Sequence, residues 1–174
     1  MRSRRKSRGN ISTTILKYIS ICLLGGYVML VFLNTSGSTK PFDEVKKAIQ
    51  KEINTENLKD VSTQGLKRYY GLNGAQYDGV MMYVSASSMS AEEILLIKVK
   101  DDTQIQEVEE AISKRLESRK NDFDGYAPKQ VEMLKKAQKS VRGTYIFLAV
   151  SPEADRYKTI FRKSIYRTAY IFMK

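Results

Sequence analysis

The chain contains no histidine and a single cysteine, Cys22. Without an imidazole, Ser-His-Asp and Cys-His nucleophilic arrangements are excluded, as is any metal site built on histidine. Nucleophilic chemistry would fall to Ser, Thr, Lys or Tyr with no imidazole base beside it. Cys22 lies inside an apolar run, so the folded part has no disulfide. Its core alone must hold it together, which about 130 residues can do. A glycine-rich phosphate loop is missing too. Asp122 and Asp124 have calcium-loop spacing but lack the central Gly and later bidentate Glu, and Asp101-Asp102 reads as a strand-to-helix cap. No metal or cofactor is expected. Proline occurs only at Pro41, Pro128 and Pro152, each placed to open a helix.

Acidic residues are absent from the first 40 positions, which hold seven Lys and Arg. The net charge of +11 is therefore concentrated at the N-terminus, and the residues after Lys40 balance to about +4. Residues 1–14 form a basic segment, and residues 15–33 are a predominantly apolar run whose only charged residue is Lys17. Roughly 20 apolar residues cross a bilayer as a helix. Five basic residues before the run, with only Lys40 soon after it, predict a single-pass anchor in the cell membrane, N-terminus cytoplasmic and the remainder extracytoplasmic. A cleaved signal peptide is the competing reading. Thr35-Ser36-Gly37 is small enough for cleavage, but the apolar stretch is long for a signal. Ile21-Cys22-Leu23-Leu24 lacks the small residues that would precede a lipid-attachment Cys.

Residues 34–40 make a polar linker, and 41–165 read as an α+β domain. Phe42, Val45, Ile49 and Ile53 recur at helical spacing. Leu58, Val61, Leu66, Tyr69 and Tyr70 suggest short helices ended by Gly71. Val80–Val84 and Ile94–Val99 read as a hairpin. Thr103 and Gln106 fit a capping box for a helix with Ile105, Val108, Ile112 and Leu116 inward. Pro128 opens a helix with Val131, Leu134, Ala137 and Val141 inward, broken by Gly143. Tyr145–Val150 is a third strand, and Ser151-Pro152-Glu153 starts a last helix. The expected architecture is a small antiparallel or mixed three-stranded sheet with helices mainly on one face.

Residues 166–174 end the chain with an apolar, aromatic stretch. Two readings stand: the tail packs on the domain, or it enters a partner's groove. The basic residues Arg156, Arg162, Lys163 and Arg167 form a candidate contact for anionic head groups or wall polymer; a solvated helix face is the bland alternative. Nucleic acid is a poor partner for an extracytoplasmic domain.

The stretch from Ser90 through Asp101, the helix to Arg119, Phe123-Asp124-Gly125-Tyr126-Ala127-Pro128, and Gly143 through Ser151 resemble a family. It is a domain of unknown function, number 4358, of small membrane- or lipid-anchored extracytoplasmic proteins of Gram-positive bacteria. The resemblance covers roughly residues 42–165 and brings no catalytic motif. It implies a gene neighbourhood with a membrane-bound O-acyltransferase and a secreted acylesterase-like protein, and hence a part in acylating an envelope polymer. The Tyr-rich end also looks like the C-terminal tails of partner proteins that carry an acyl group, which makes Tyr170 and Tyr166 candidate acyl carriers. The expected function is a non-enzymatic accessory of envelope O-acylation. The alternatives are a binding module for anionic polymer or an envelope protein, and an enzyme with an unrecognised Tyr, Ser or Lys nucleophile.

Overall fold

The computed structural model describes residues 17–28, 40–62 and 64–165. The chain divides into two compact units, Met1–Ser36 and Gly37–Lys174. In the first, residues 17–28 form a helix, α1, on which Ile19, Ile21, Leu23 and Leu24 are exposed. The basic segment 1–14, the rest of the expected span 15–33, linker residues 34–39 and the tail 166–174 lie outside the described residues. Among the described residues, no helix is long and apolar enough to cross a membrane.

Among the described residues, the second unit has five strands: β1 (Leu58–Asp60), β2 (Gly79–Ser85), β3 (Glu93–Lys98), β4 (Gln138–Arg142) and β5 (Tyr145–Val150). Their order is β1-β2-β3-β5-β4, and every neighbouring pair is antiparallel. This corrects the expected three-stranded sheet. The extra strands are the two edges. β1 is only three residues long, too short to show a period. β4 occupies sequence read as helix, because Ala137 and Val141 continue the three- and four-residue spacing that starts at Val131 and Leu134.

Among the described residues, four α-helices cover the sheet: α2 (Phe42–Gln50), α3 (Gln104–Phe123), α4 (Pro128–Lys135) and α5 (Ala154–Ile165). They lie on both faces, not mainly on one. Alternation along the strands sends Ile94, Leu96, Tyr145 and Phe147 into one core with Val45 and Ile49 of α2 and Tyr157 and Phe161 of α5. Leu95, Ile97, Ile146 and Leu148 point the other way, to Val108 and Ile112 of α3 and Leu134 of α4. Burial on both faces explains why β3 and β5 read as unbroken apolar runs. Phe147 stacks on Phe161 with ring centroids 4.8 Å apart.

Local chemistry sets the element ends. A π-helical turn, Leu66–Tyr70, stops at Gly71, whose φ of 73° suits glycine. Thr103 makes no side-chain cap on α3, so the capping box does not form. Asp101 replaces it, accepting from the Thr103 N–H at 2.8 Å, while Gln104 Oε1 accepts from the Lys100 N–H at 3.0 Å. Ser151 Oγ accepts from the Glu153 N–H at 3.2 Å before α5, as an N-cap should.

Candidate functional site

The chain enters the domain at Lys40 and reaches its last described residue at Ile165. These two points are neighbours. Lys40 Nζ donates to the Ser164 carbonyl at 2.8 Å, and the Lys40 carbonyl accepts from the Tyr145 hydroxyl at 2.7 Å. An ammonium at the C-terminal turn of α5 is favoured by the unpaired carbonyls and the helix dipole there. Tyr145 opens β5. Beside it, Lys98 Nζ lies 5.7 Å from the Tyr145 ring centroid and 3.8 Å from Asp78 Oδ2. Burial, then the carboxylates of Asp78, Glu44 and Asp43, push the Tyr145 phenol up to about 12. It therefore remains a neutral donor at any physiological pH. Phe42 lies directly over Gly79, where an added Cβ would sit 2.2 Å from Phe42 Cγ. One end of the sheet thus gathers the incoming chain, the end of α5 and a fixed hydrogen-bonded Tyr.

The candidate acyl carriers Tyr166 and Tyr170, and the candidate polymer contact Arg167, lie outside the described residues. The other three basic candidates, Arg156, Arg162 and Lys163, all lie on α5. Arg156 is held at the start of α5, 2.8 Å from Glu153 Oε2 and 3.8 Å from Glu52 Oε2, with Nη2 donating to the Glu52 carbonyl at 3.3 Å. Arg162 and Lys163 are exposed, with no ion-pair partner among the described residues. Lys158 donates to Gln138 Oε1 of β4 at 2.9 Å, and Arg162 follows it by one turn on the same face of α5.

A buried ionic cluster escaped the sequence reading. Glu93, the first residue of β3, shares a face with Leu95 and Ile97 and is buried. Its carboxylate accepts from the Tyr70 hydroxyl and from Arg115 Nη2 and Nε at 2.9 and 3.3 Å. The Arg115 guanidinium also lies 4.8 Å from the Tyr69 ring centroid. Burial first, and then the Glu93 charge, raise the Tyr70 phenol well above its ordinary value, so Tyr70 remains protonated and donates. A protonated phenol with its proton committed to a carboxylate is a poor nucleophile. The cluster ties the π-helical turn, β3 and α3 together, and reads as structural. Its signal was available in the sequence: a Glu at the head of an apolar strand, on the buried face, needs a partner.

Two clefts flank the start of α5. One, of about 600 Å³, runs between α4 and α5 past Gln130, Met133, Ser151 and Asp155. The other, of about 350 Å³, is lined by Asn54, Glu92, Ser151 and Tyr157. Among the described residues, no group of three or more Cys, Asp or Glu side chains could hold a metal ion. A family model described as a domain of unknown function (DUF4358) matches residues 51–151, more than half of the chain, which therefore belongs to that family. No curated protein and no solved structure matches the chain.

Proposed function

We propose that this member of the DUF4358 family is a membrane-anchored, non-enzymatic accessory of a cell-envelope polymer O-acylation system. In this reading residues 15–33 anchor it, the domain faces outward, and the tail 166–174 carries or guides an acyl group. Its partners would be a membrane-bound O-acyltransferase and a secreted acylesterase-like protein.

The observation that carries this reading is the contact between Lys40 and Ser164. The first described residue of the domain, Lys40, lies beside its last helical turn, at Ser164. Fully extended, the seven residues 34–40 span at most about 25 Å and the nine residues 166–174 about 30 Å, lengths compatible with a tail that returns toward the membrane. An apolar, Tyr-containing segment is suited to a catalytic site within a membrane protein.

The chemistry favours tyrosine. Its ordinary phenol, with a pKa near 10, is a better leaving group than an aliphatic alcohol. In loading, the phenolic oxygen bonds to the acyl carbonyl carbon of an activated acyl donor. The donor's leaving group departs with the phenolic proton. In transfer, a polymer hydroxyl attacks that carbon, and the phenolate leaves and takes up the hydroxyl's proton. Tyr170 is the first choice, being nearer the end and in the more apolar stretch. Tyr170→Phe should lower polymer acylation at normal protein abundance; normal acylation in both Tyr170→Phe and Tyr166→Phe rejects the carrier role. A reporter active only outside the cell, fused after Lys174, should be active, and activity only of a cytoplasmic reporter rejects the topology.

Binding of anionic wall polymer through Arg156, Arg162, Lys163 and Arg167 is the alternative. The exposure of Arg162 and Lys163 favours it; the pairing of Arg156 with Glu153 and Glu52 weighs against it.

A further inference from the structure

The sheet has an open edge at β4. β4 and β5 are joined by the two-residue loop Gly143-Thr144, with Arg142 opposite Tyr145 and Gly143 at a φ of 52°. In a two-residue hairpin the flanking pair exchanges both backbone bonds, and antiparallel pairs then alternate. Ser140–Phe147 and Gln138–Ala149 are therefore bonded pairs as well. The N–H and C=O groups of Lys139 and Val141 must point away from β5. Among the described residues, no group bonds them from the open side. The opposite edge, β1, has three residues against five in β4, so it offers less backbone to a partner.

Charge gives this edge a preference. Sheets protect open edges with lysines held over them. Here the Lys139 ammonium is drawn to the α3 face, 2.7 Å from Glu109 Oε1. Two exposed cations accompany the edge: Arg142, at the end of β4, and Arg162, one turn beyond Lys158 on the α5 face that bonds Gln138 of β4. Neither has an ion-pair partner among the described residues. A second copy of this chain, edge to edge, would bring these cations together, so the edge disfavours self-pairing. A flexible anionic polymer would satisfy the cations but leave four regularly spaced backbone groups to water.

We propose that the β4 edge takes an extended acidic segment of a partner protein as a sixth strand. The partner's backbone bonds to Lys139 and Val141, and its carboxylates meet Arg142 and Arg162. Backbone pairing supplies affinity, and the side chains on alternate positions supply selection. This docking surface is independent of the tail and stands whether or not Tyr170 carries an acyl group.

The test uses the full chain in phosphatidylcholine nanodiscs and a fluorescent seven-residue peptide of alternating Glu and Val, read by anisotropy. The peptide should bind, and more weakly as salt rises. The same peptide N-methylated at every amide should lose about tenfold or more, the equivalent of one or two hydrogen bonds. Arg142→Glu with Arg162→Glu should lose about as much. Val141→Pro removes an outward N–H while leaving the pairing with β5 in place, so it should weaken binding with circular dichroism unchanged. Should Val141→Pro not fold, the N-methylated peptide carries the same test. Absent binding, or equal binding of the N-methylated peptide, overturns the proposal. It is also overturned if polyglycerol phosphate displaces the peptide and binds with the same dependence on Arg142 and Arg162 but none on Val141→Pro. That result assigns the surface to an anionic polymer.

Discussion

Lys40 and Ser164, 124 positions apart in the chain, are joined by a 2.8 Å hydrogen bond from the Lys40 ammonium to the Ser164 carbonyl. The Lys40 backbone is fixed in turn by the Tyr145 hydroxyl. The start and the end of the domain are thereby pinned to β5.

Tyr145 should leave a signature at high pH. Its phenol is raised from 10.0 to about 12 in the folded chain. Below pH 10 it is neutral whether the chain is folded or not. Between pH 10 and about 12 the unfolded chain ionises and the folded chain does not, so stability falls across that window. Tyr70, Tyr77 and Tyr157 are raised as well and add to the fall. The diagnostic quantity is therefore a difference: urea unfolding of Tyr145→Phe should show a shallower decline above pH 10 than the native chain. Parallel declines would contradict the assignment. Below pH 10 the variant should be less stable by about 1 kcal/mol, for the hydrogen bond lost to Lys40.

Gly79 is required by Phe42. Gly79→Ala builds a methyl 2.2 Å from Phe42 Cγ, so the ring must move. The expected cost is about 1–3 kcal/mol, the range for overpacking. Adding Phe42→Ala should remove most of the clash, so the two changes together should cost less than the sum of each alone. Additive costs in a double-mutant cycle would show that the contact is not the cause.

Breaking the buried cluster should be worse than replacing it. Glu93→Ala leaves the Arg115 guanidinium, with side-chain exposure of only 16%, without its carboxylate. The expected loss is about 3–5 kcal/mol. The triple change Tyr70→Phe, Glu93→Leu, Arg115→Met fills similar volume without charge and should recover much of that loss. A triple variant as unstable as Glu93→Ala would show that the cluster contributes more than its own desolvation costs.

What could be read from the sequence divides along physical lines. β5 matches its expected bounds, Tyr145–Val150, because an apolar run buried on both faces and closed by Gly143 and Ser151 has few other readings. Ile97 and Phe147, expected to be central, are fully buried; replacing either by Ala should cost about 2–5 kcal/mol. β4 was illegible for the opposite reason. Its Gln138-Lys139-Ser140-Val141-Arg142 is an edge with mixed polarity, and Val141 falls by chance on the helical spacing of α4. Gly143 looked like the end of a helix, whereas it is the first residue of a hairpin turn. The Glu93–Arg115 pair joins residues 22 positions apart, a partnership that no local period reveals.

The most direct measurement is of the tail itself. Membranes would be taken from cells whose envelope polymer is acylated, the protein isolated without base, and its C-terminal peptide analysed by mass spectrometry. The account predicts an added acyl mass on Tyr170 or Tyr166, removed by hydroxylamine as an ester is. Unmodified tyrosine at both positions, in cells that acylate normally and with ester-preserving handling verified on a synthetic acyl-tyrosine peptide, would contradict it.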